Sequence, residues 1–283
     1  LEIIKSCDLS DSRYLYRFGE YVSDNELRTW QHLQEMDETD LDKMADTWTE
    51  GYRIGFLTGG KDFSSKETVG LIWHLGFERM ILRSVHNFEA MGKGCVCYRE
   101  TQSLFGLHES EMAGYCGADA NPQYRFDHRE DLALILDDDL AARRVEALMA
   151  AYRTWKSETV LYAGPAVMET FGDAPFTPDN DPAKAVFDRA QQKLISRYRQ
   201  AASRAYNEAV IGKNRSFTII SFPLPSIAKD NPKGASYEEI FDAVFRINTL
   251  DYATYQRIQG TLIDALNQAD CLHVTGRCGN PTD

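Results

Sequence analysis

The sequence predicts an α/β fold: a mostly parallel sheet with helices on both faces, preceded by a purely helical segment. Three observations lead there. Short apolar runs alternate with amphipathic helical patterns from about residue 61 onward, glycine or proline punctuates most of the junctions, and residues 1–60 carry helical periodicity alone. The chain is therefore divided into a helical lead-in, 1–60, and an α/β domain, 61–283.

The lead-in is helical from Leu9 to about Phe56. Tyr14, Phe18, Tyr21 and Val22 share one face, and Leu41, Met44, Ala45, Trp48 and Tyr52 share another. Gly59 and Gly60 break the pattern. Thr68–Leu75 (TVGLIWHL) reads as the first strand, and Gly76 turns the chain into a helix carrying Phe77, Ile81, Val85 and Phe88. That helix stops at Gly92, before a short strand at Cys95–Tyr98. A strand, helix, strand unit of this kind closes into a parallel pair.

A second unit is expected to begin with a strand at Leu132–Leu136. Asp137, Asp138 and Asp139 then open a helix that runs to about Trp155, where acidic residues suit the positive end of the helix dipole. Gly164–Pro182 holds four of the nine prolines and reads as an ordered loop or a short excursion rather than a regular element. Asp181 and Pro182 have the form of a cap and first position of a long helix ending at Gly212.

Phe217–Phe222 (FTIISF), closed by Pro223 and Pro225, reads as a strand buried on both faces. Ser236 and Glu239 form a capping box ahead of the stripe Ile240, Phe241, Val244 and Phe245. A further helix from Asp251 carries Tyr252, Tyr255, Ile258, Leu262 and Leu266, and Cys271–Val274 reads as a last strand before Gly276 and Gly279. The layout is Rossmann-like. There are no internal repeats.

Composition narrows the function classes. A chain with 43% hydrophobic residues can bury a core, and a net charge of -12 repels phosphate backbones and anionic lipid. Nucleic-acid and membrane partners are not expected. No apolar stretch reaches the ~18 residues a membrane span needs, and no signal-peptide pattern opens the chain, so a cytoplasmic protein is expected. The six cysteines, Cys7, Cys95, Cys97, Cys116, Cys271 and Cys278, are expected to be free thiols.

The segments SFPLP, RINTLDYATYQRIQGTLIDALNQAD and HVTGRCGNPTD resemble the thermophilic-type metallo-aminopeptidases, the aminopeptidase T and aminopeptidase S group, in a longer bacterial version. Upstream, YLYRFGEY, MADTWTEGYRIGF, LGFERM, FDHREDLALILD and AGPAVMETFGDAPFTP extend the similarity over most of the chain. None of these segments is a catalytic signature. The resemblance implies a hydrolase that removes amino-terminal residues from peptides with two divalent metal ions of zinc, cobalt or manganese type. It also implies that Glu, His, Asp and Tyr ligands follow the point corresponding to Asp283, so no catalytic residue, metal ligand or cofactor is assigned to this chain. Homodimerisation of the parent is a further implication. Leu1 in place of an initiator Met, and an ending just past a glycine turn, lead to the expectation that the sequence continues on both sides.

His74 and Glu78 stand four apart across a glycine turn, and the zincin pattern is absent. His86 and Glu89 share a helix face but are too few to hold a catalytic metal. Cys95 and Cys97 point to opposite faces of a strand. Cys271 and Cys278, with His273 nearby, flank a turn at a spacing that matches no zinc motif. The densest polar cluster is Asp127–Asp131, where His128 and Arg129 are candidates for contact with a neighbouring domain or a peptide carboxylate, the alternative being a solvated loop. The glycines at Gly59–Ser65 and Gly76 lack P-loop and dinucleotide spacing.

Two function classes remain: the α/β part of a metallo-aminopeptidase, or a non-enzymatic module that binds a ligand or partner. A deep pocket at the carboxyl ends of the strands favours the second. An exposed apolar face near the final strand favours the first.

Overall fold

The computed structural model describes residues 1–97, 114–229, 234–249, 251–275 and 281–282. The lead-in comprises α1 (Glu2–Ser6), a 3-10 helix (Ser12–Phe18), α2 (Asp24–Glu35) and α3 (Glu38–Thr58). Ser23 and Glu26 form a reciprocal capping box that starts α2. The α3 stripe Leu41, Met44, Ala45, Trp48 and Tyr52 is buried as its spacing predicts. Tyr14 and Phe18 are also buried, but Tyr21 is not, because Gly19 ends the 3-10 helix with a φ of 74° and breaks the face.

The sheet begins with β1 (Thr68–His74), α4 (Glu78–Ala90) and β2 (Gly94–Val96), the strand, helix, strand unit read from the sequence. β1 and β2 pair in parallel from Thr68↔Gly94 to Gly70↔Val96. β3 (Tyr115–Cys116) lies beside the far end of β1, with His74 opposite Cys116. α3 and α4 run side by side in the same direction. Glu38 meets Arg79, Asp42 accepts from Arg83 at 2.8 Å and Asp46 accepts from Asn87 at 2.8 Å, each rung one helical turn beyond the last.

The second unit departs from expectation. α5 (Pro122–His128) is followed by a 3-10 turn at Asp131–Leu134 where a strand was expected. Leu132 and Leu136 are buried while Leu134 is 74% exposed and Ile135 48% exposed, an inward spacing of four that a turn satisfies and a strand does not. α6 (Asp138–Thr154) follows, capped by Asp137, which accepts from the Leu140 amide at 2.7 Å. After α7 (Lys156–Leu161) comes β4 (Tyr162–Phe171), a central strand in the stretch expected to be a loop.

β4 pairs in parallel with β1 on one side and with β5 (Thr218–Pro223) on the other. Its Ala163, Gly164 and Ala166 lack strand-forming character but let neighbouring backbone approach. A Cβ on Gly164 would lie 1.9 Å from the Ser216 carbonyl oxygen. Pro165 sits opposite Gly70, beside a register irregularity, where a residue without an N–H is tolerated.

α8 (Arg189–Ala209) starts later than expected. Asp188 and Gln191 form its capping box, while Asp181 caps only a turn through the Ala183 amide at 2.7 Å. α6 and α8 bury Leu132, Leu136, Ala141, Leu194, Ile195, Tyr198 and Ala202 in a small core of their own.

β5 ends the sheet, whose order is β2-β1-β4-β5. Ile220 and Phe222 are buried, but Phe217 is 65% exposed and Ile219 51%, so the strand is covered on one face rather than both. α9 (Tyr237–Asn248), with the expected Ser236–Glu239 box, lays Phe241 on Phe222 at a ring separation of 5.0 Å. α10 (Tyr252–Leu266) leaves its whole apolar stripe exposed. β6 (Val274–Thr275) pairs antiparallel with β7 (Pro281–Thr282), meeting the expected strand at 271–274 only at Val274, and lies apart from the main sheet. The parallel α/β architecture with a helical lead-in is thus established.

Candidate functional site

Strand order reverses between β1 and β4, because the chain builds β2 on one side of β1 before placing β4 and β5 on the other. In open parallel sheets, ligands bind at the carboxyl ends of the strands at such a point. Here that end of β1 carries Trp73 and His74, then the turn through Gly76 to Glu78, the first residue of α4. α2 lies against the turn. Gly76 has a φ of 102°, and a Cβ there would lie 2.9 Å from the Glu26 carbonyl oxygen and 3.1 Å from Thr29 Cβ. Only glycine meets both conditions.

Three donors converge on Glu78, which is completely buried. Its Oε2 accepts from the Tyr14 hydroxyl at 2.6 Å and from the Gly76 amide at 2.9 Å, and its Oε1 accepts from Trp73 Nε1 at 3.1 Å. Burial raises the carboxyl above its ordinary pKa, and the donors pull the other way without cancelling it. Burial, then the charge of Glu78, pushes the ionisation of Tyr14 well up.

Glu26 is the second buried carboxylate. Its Oε2 accepts from the Ser23 amide and hydroxyl, each at 2.6 Å, while its Oε1 lies 3.4 Å from His74 Nε2. His74 Nδ1 is 3.1 Å from the Leu75 carbonyl oxygen. His32, further along α2, has its pKa lowered chiefly by burial and packs edge-on against Phe241.

These residues do not fit a metal centre. Among the described residues, no three His, Cys, Asp or Glu come together as a group that could hold an ion. Glu26 and His74 meet as a pair, and Glu78 is turned to Tyr14, Trp73 and Gly76. The polar cluster is therefore a buried seam between α2, β1 and α4.

His128 and Arg129 lie elsewhere, at the end of α5. His128 Nδ1 is 2.8 Å from Asp131 Oδ2, and the Arg129 guanidinium sits over the Phe126 ring at 4.6 Å with Glu130 at 3.7 Å. These contacts are all with residues close by in the chain. Glu89 is paired with Lys5 at 2.5 Å rather than with His86. Cys95 and Cys97 are half-buried free thiols, and burial pushes Cys95 up to about 12. Cys271 is exposed and free, and Cys278 lies outside the described residues.

A shallow groove of about 510 Å³ runs between α6 and α8, floored by Ala141, Val145, Leu194 and Tyr198 and rimmed by Arg153 and Arg197. No helix among the described residues is long and apolar enough to cross a membrane. The contacts that sequence reasoning missed, Tyr14 to Glu78 and Glu26 to His74, join residues far apart in the chain. The one local signal was Ser23 followed by Glu26, which has capping-box form. No protein-family model matches the chain, and no significant match was found among curated proteins or solved structures.

Proposed function

We propose that this chain is the non-catalytic α/β part of a metal-dependent aminopeptidase, a cytoplasmic hydrolase that removes amino-terminal residues from peptides. The observation that carries the reading is the open stripe of α10. Tyr252, Tyr255, Ile258, Leu262 and Leu266 are between 43% and 59% exposed along one face. A contiguous apolar face of this kind marks an interaction surface. In this reading a further domain covers it, and that domain holds the two divalent ions of zinc, cobalt or manganese type and the peptide substrate. His128 and Arg129 are then available for contact with that domain or with a peptide carboxylate, and the parent assembles as a homodimer.

The alternative, a non-enzymatic ligand- or partner-binding module, would use the carboxyl end of the sheet. Among the described residues, Trp73, Phe77, Glu78 and Glu26, all fully buried, occupy that end beside β1. The enzyme reading is therefore preferred. To test it, residues 1–283 and a longer protein that includes the following domain are assayed for aminoacyl-anilide hydrolysis and for bound metal. The longer protein should turn over substrate and retain metal, and the shorter should do neither. Robust metal-dependent turnover by residues 1–283 alone would overturn the reading, as would an inactive, metal-free longer protein.

A further inference from the structure

We propose that two copies of this chain pair antiparallel along the outer edge of β5, joining their sheets across a two-fold axis that passes Thr218. β5 is the last strand of the sheet, and among the described residues its side away from β4 meets no other strand. The Ser216 amide donates to the Ala163 carbonyl at 2.9 Å and the Leu224 amide to the Phe171 carbonyl at 2.7 Å. Even-numbered residues of β5 therefore turn their backbone groups to β4, and odd-numbered ones turn theirs outward.

Both ends of that outward row are closed. The Arg215 carbonyl accepts from Lys61 Nζ at 2.6 Å, and its amide donates to the Gly212 carbonyl at 3.3 Å. The Ser221 carbonyl accepts from Asn248 Nδ2 at 2.8 Å, and Pro223 has no N–H to offer. Between these ends the backbone of Phe217 and Ile219 has no partner on the outer side among the described residues. The side chains mark the same stretch. Thr218 meets α3 at Gly51 and Phe222 meets Phe241 of α9, so the even face is covered, whereas Phe217 and Ile219 are 65% and 51% exposed on the other. An unpaired apolar edge of this kind is a template for another strand.

The opening is self-complementary, which points to a second copy as its occupant. Arg215 and Ser221 lie equally far from Thr218 in the chain, so antiparallel pairing centred on Thr218 brings closed end against closed end. Phe217 then stands opposite Ile219 of the second copy, each such pair exchanges both backbone hydrogen bonds, and an aromatic ring packs against a β-branched side chain. So short a stretch gives a peptide strand little to hold, but a two-fold axis uses it twice. The patch falls well short of the ~1,200 Å² of a stable complex, so the pairing is weak and reversible. A net charge of -12 on each copy opposes the approach, and added salt strengthens it. The pairing needs neither a metal nor a further domain, so its test is independent of hydrolytic activity.

Sedimentation of residues 1–283 from micromolar to millimolar concentration, with amide hydrogen exchange followed by NMR, tests the pairing. The expected result is a monomer-dimer equilibrium in which exchange at Phe217 and Ile219 slows by at least ~tenfold as concentration rises, while Thr218 and Ile220 are protected throughout. Ile219→Lys places a charge on the edge at an exposed position, and it should keep the native Tm and abolish the dimer. A chain that stays monomeric would overturn the proposal, as would a dimer whose Phe217 and Ile219 amides exchange freely or one that survives Ile219→Lys. Protection of those amides only on adding an extended apolar peptide assigns the edge to a different partner and overturns it as well. Should Ile219→Lys not fold, the exchange rates of the native chain decide.

Discussion

Replacing Tyr14 by Phe removes one oxygen and leaves the rest of the ring in place, so it isolates a single donor to the buried Glu78. The hydroxyl lies 2.6 Å from Glu78 Oε2, and Tyr14 is 3% exposed. A hydrogen bond to a charged group contributes about 1.5–3 kcal/mol, so a loss of about 2 kcal/mol is expected. For a domain of this size that is a fall in Tm of roughly 4–8 °C. The pH dependence follows from the direction of the Glu78 shift. Burial raises its folded pKa, and deleting a donor raises it further. Such a group contributes stability below its unfolded value, about 4.3, and loses it as pH rises through the folded value. The gap between native chain and variant should therefore be small in acid and widen toward neutrality. Urea unfolding followed by tryptophan fluorescence measures it, since Trp73 shares the same carboxylate. A neutral-pH difference under about 0.5 kcal/mol, or one that stays constant with pH, would refute the claim that Tyr14 stabilises the ionised carboxylate.

Gly76→Ala should destabilise the chain by at least about 1–3 kcal/mol from backbone strain alone, with added crowding against Glu26 and Thr29, as read by thermal unfolding. An unchanged Tm would mean that α2 does not rest on this turn. Among the thiols, exposed Cys271 should react with an aromatic disulfide reagent well before half-buried Cys95, whose thiol is pushed up to about 12. Equal labelling rates in single-cysteine variants would count against that burial.

The elements that sequence alone determined are those whose signal is local. Ser236 and Glu239 start α9 wherever that helix packs, and the spacing of Leu41, Met44, Ala45, Trp48 and Tyr52 defines the inward face of α3 before any partner is known. The alternation of β1, α4 and β2 likewise follows from short apolar runs and well-placed glycines. The candidate site was not legible in this way. Tyr14 and Glu78 are 64 residues apart, and nothing near either one announces the other.

Tertiary structure decided the rest. β4 is a strand because β1 and β5 supply hydrogen-bond partners to backbone whose small side chains and proline carry no strand preference of their own. Leu132–Leu136 is the converse case: strand-like residues became a turn because α8 offered one apolar surface for Leu132 and Leu136. Local spacing can state which face of a segment is apolar, but only the packed chain determines what that face meets and which distant polar groups must share a hydrogen bond once water is excluded.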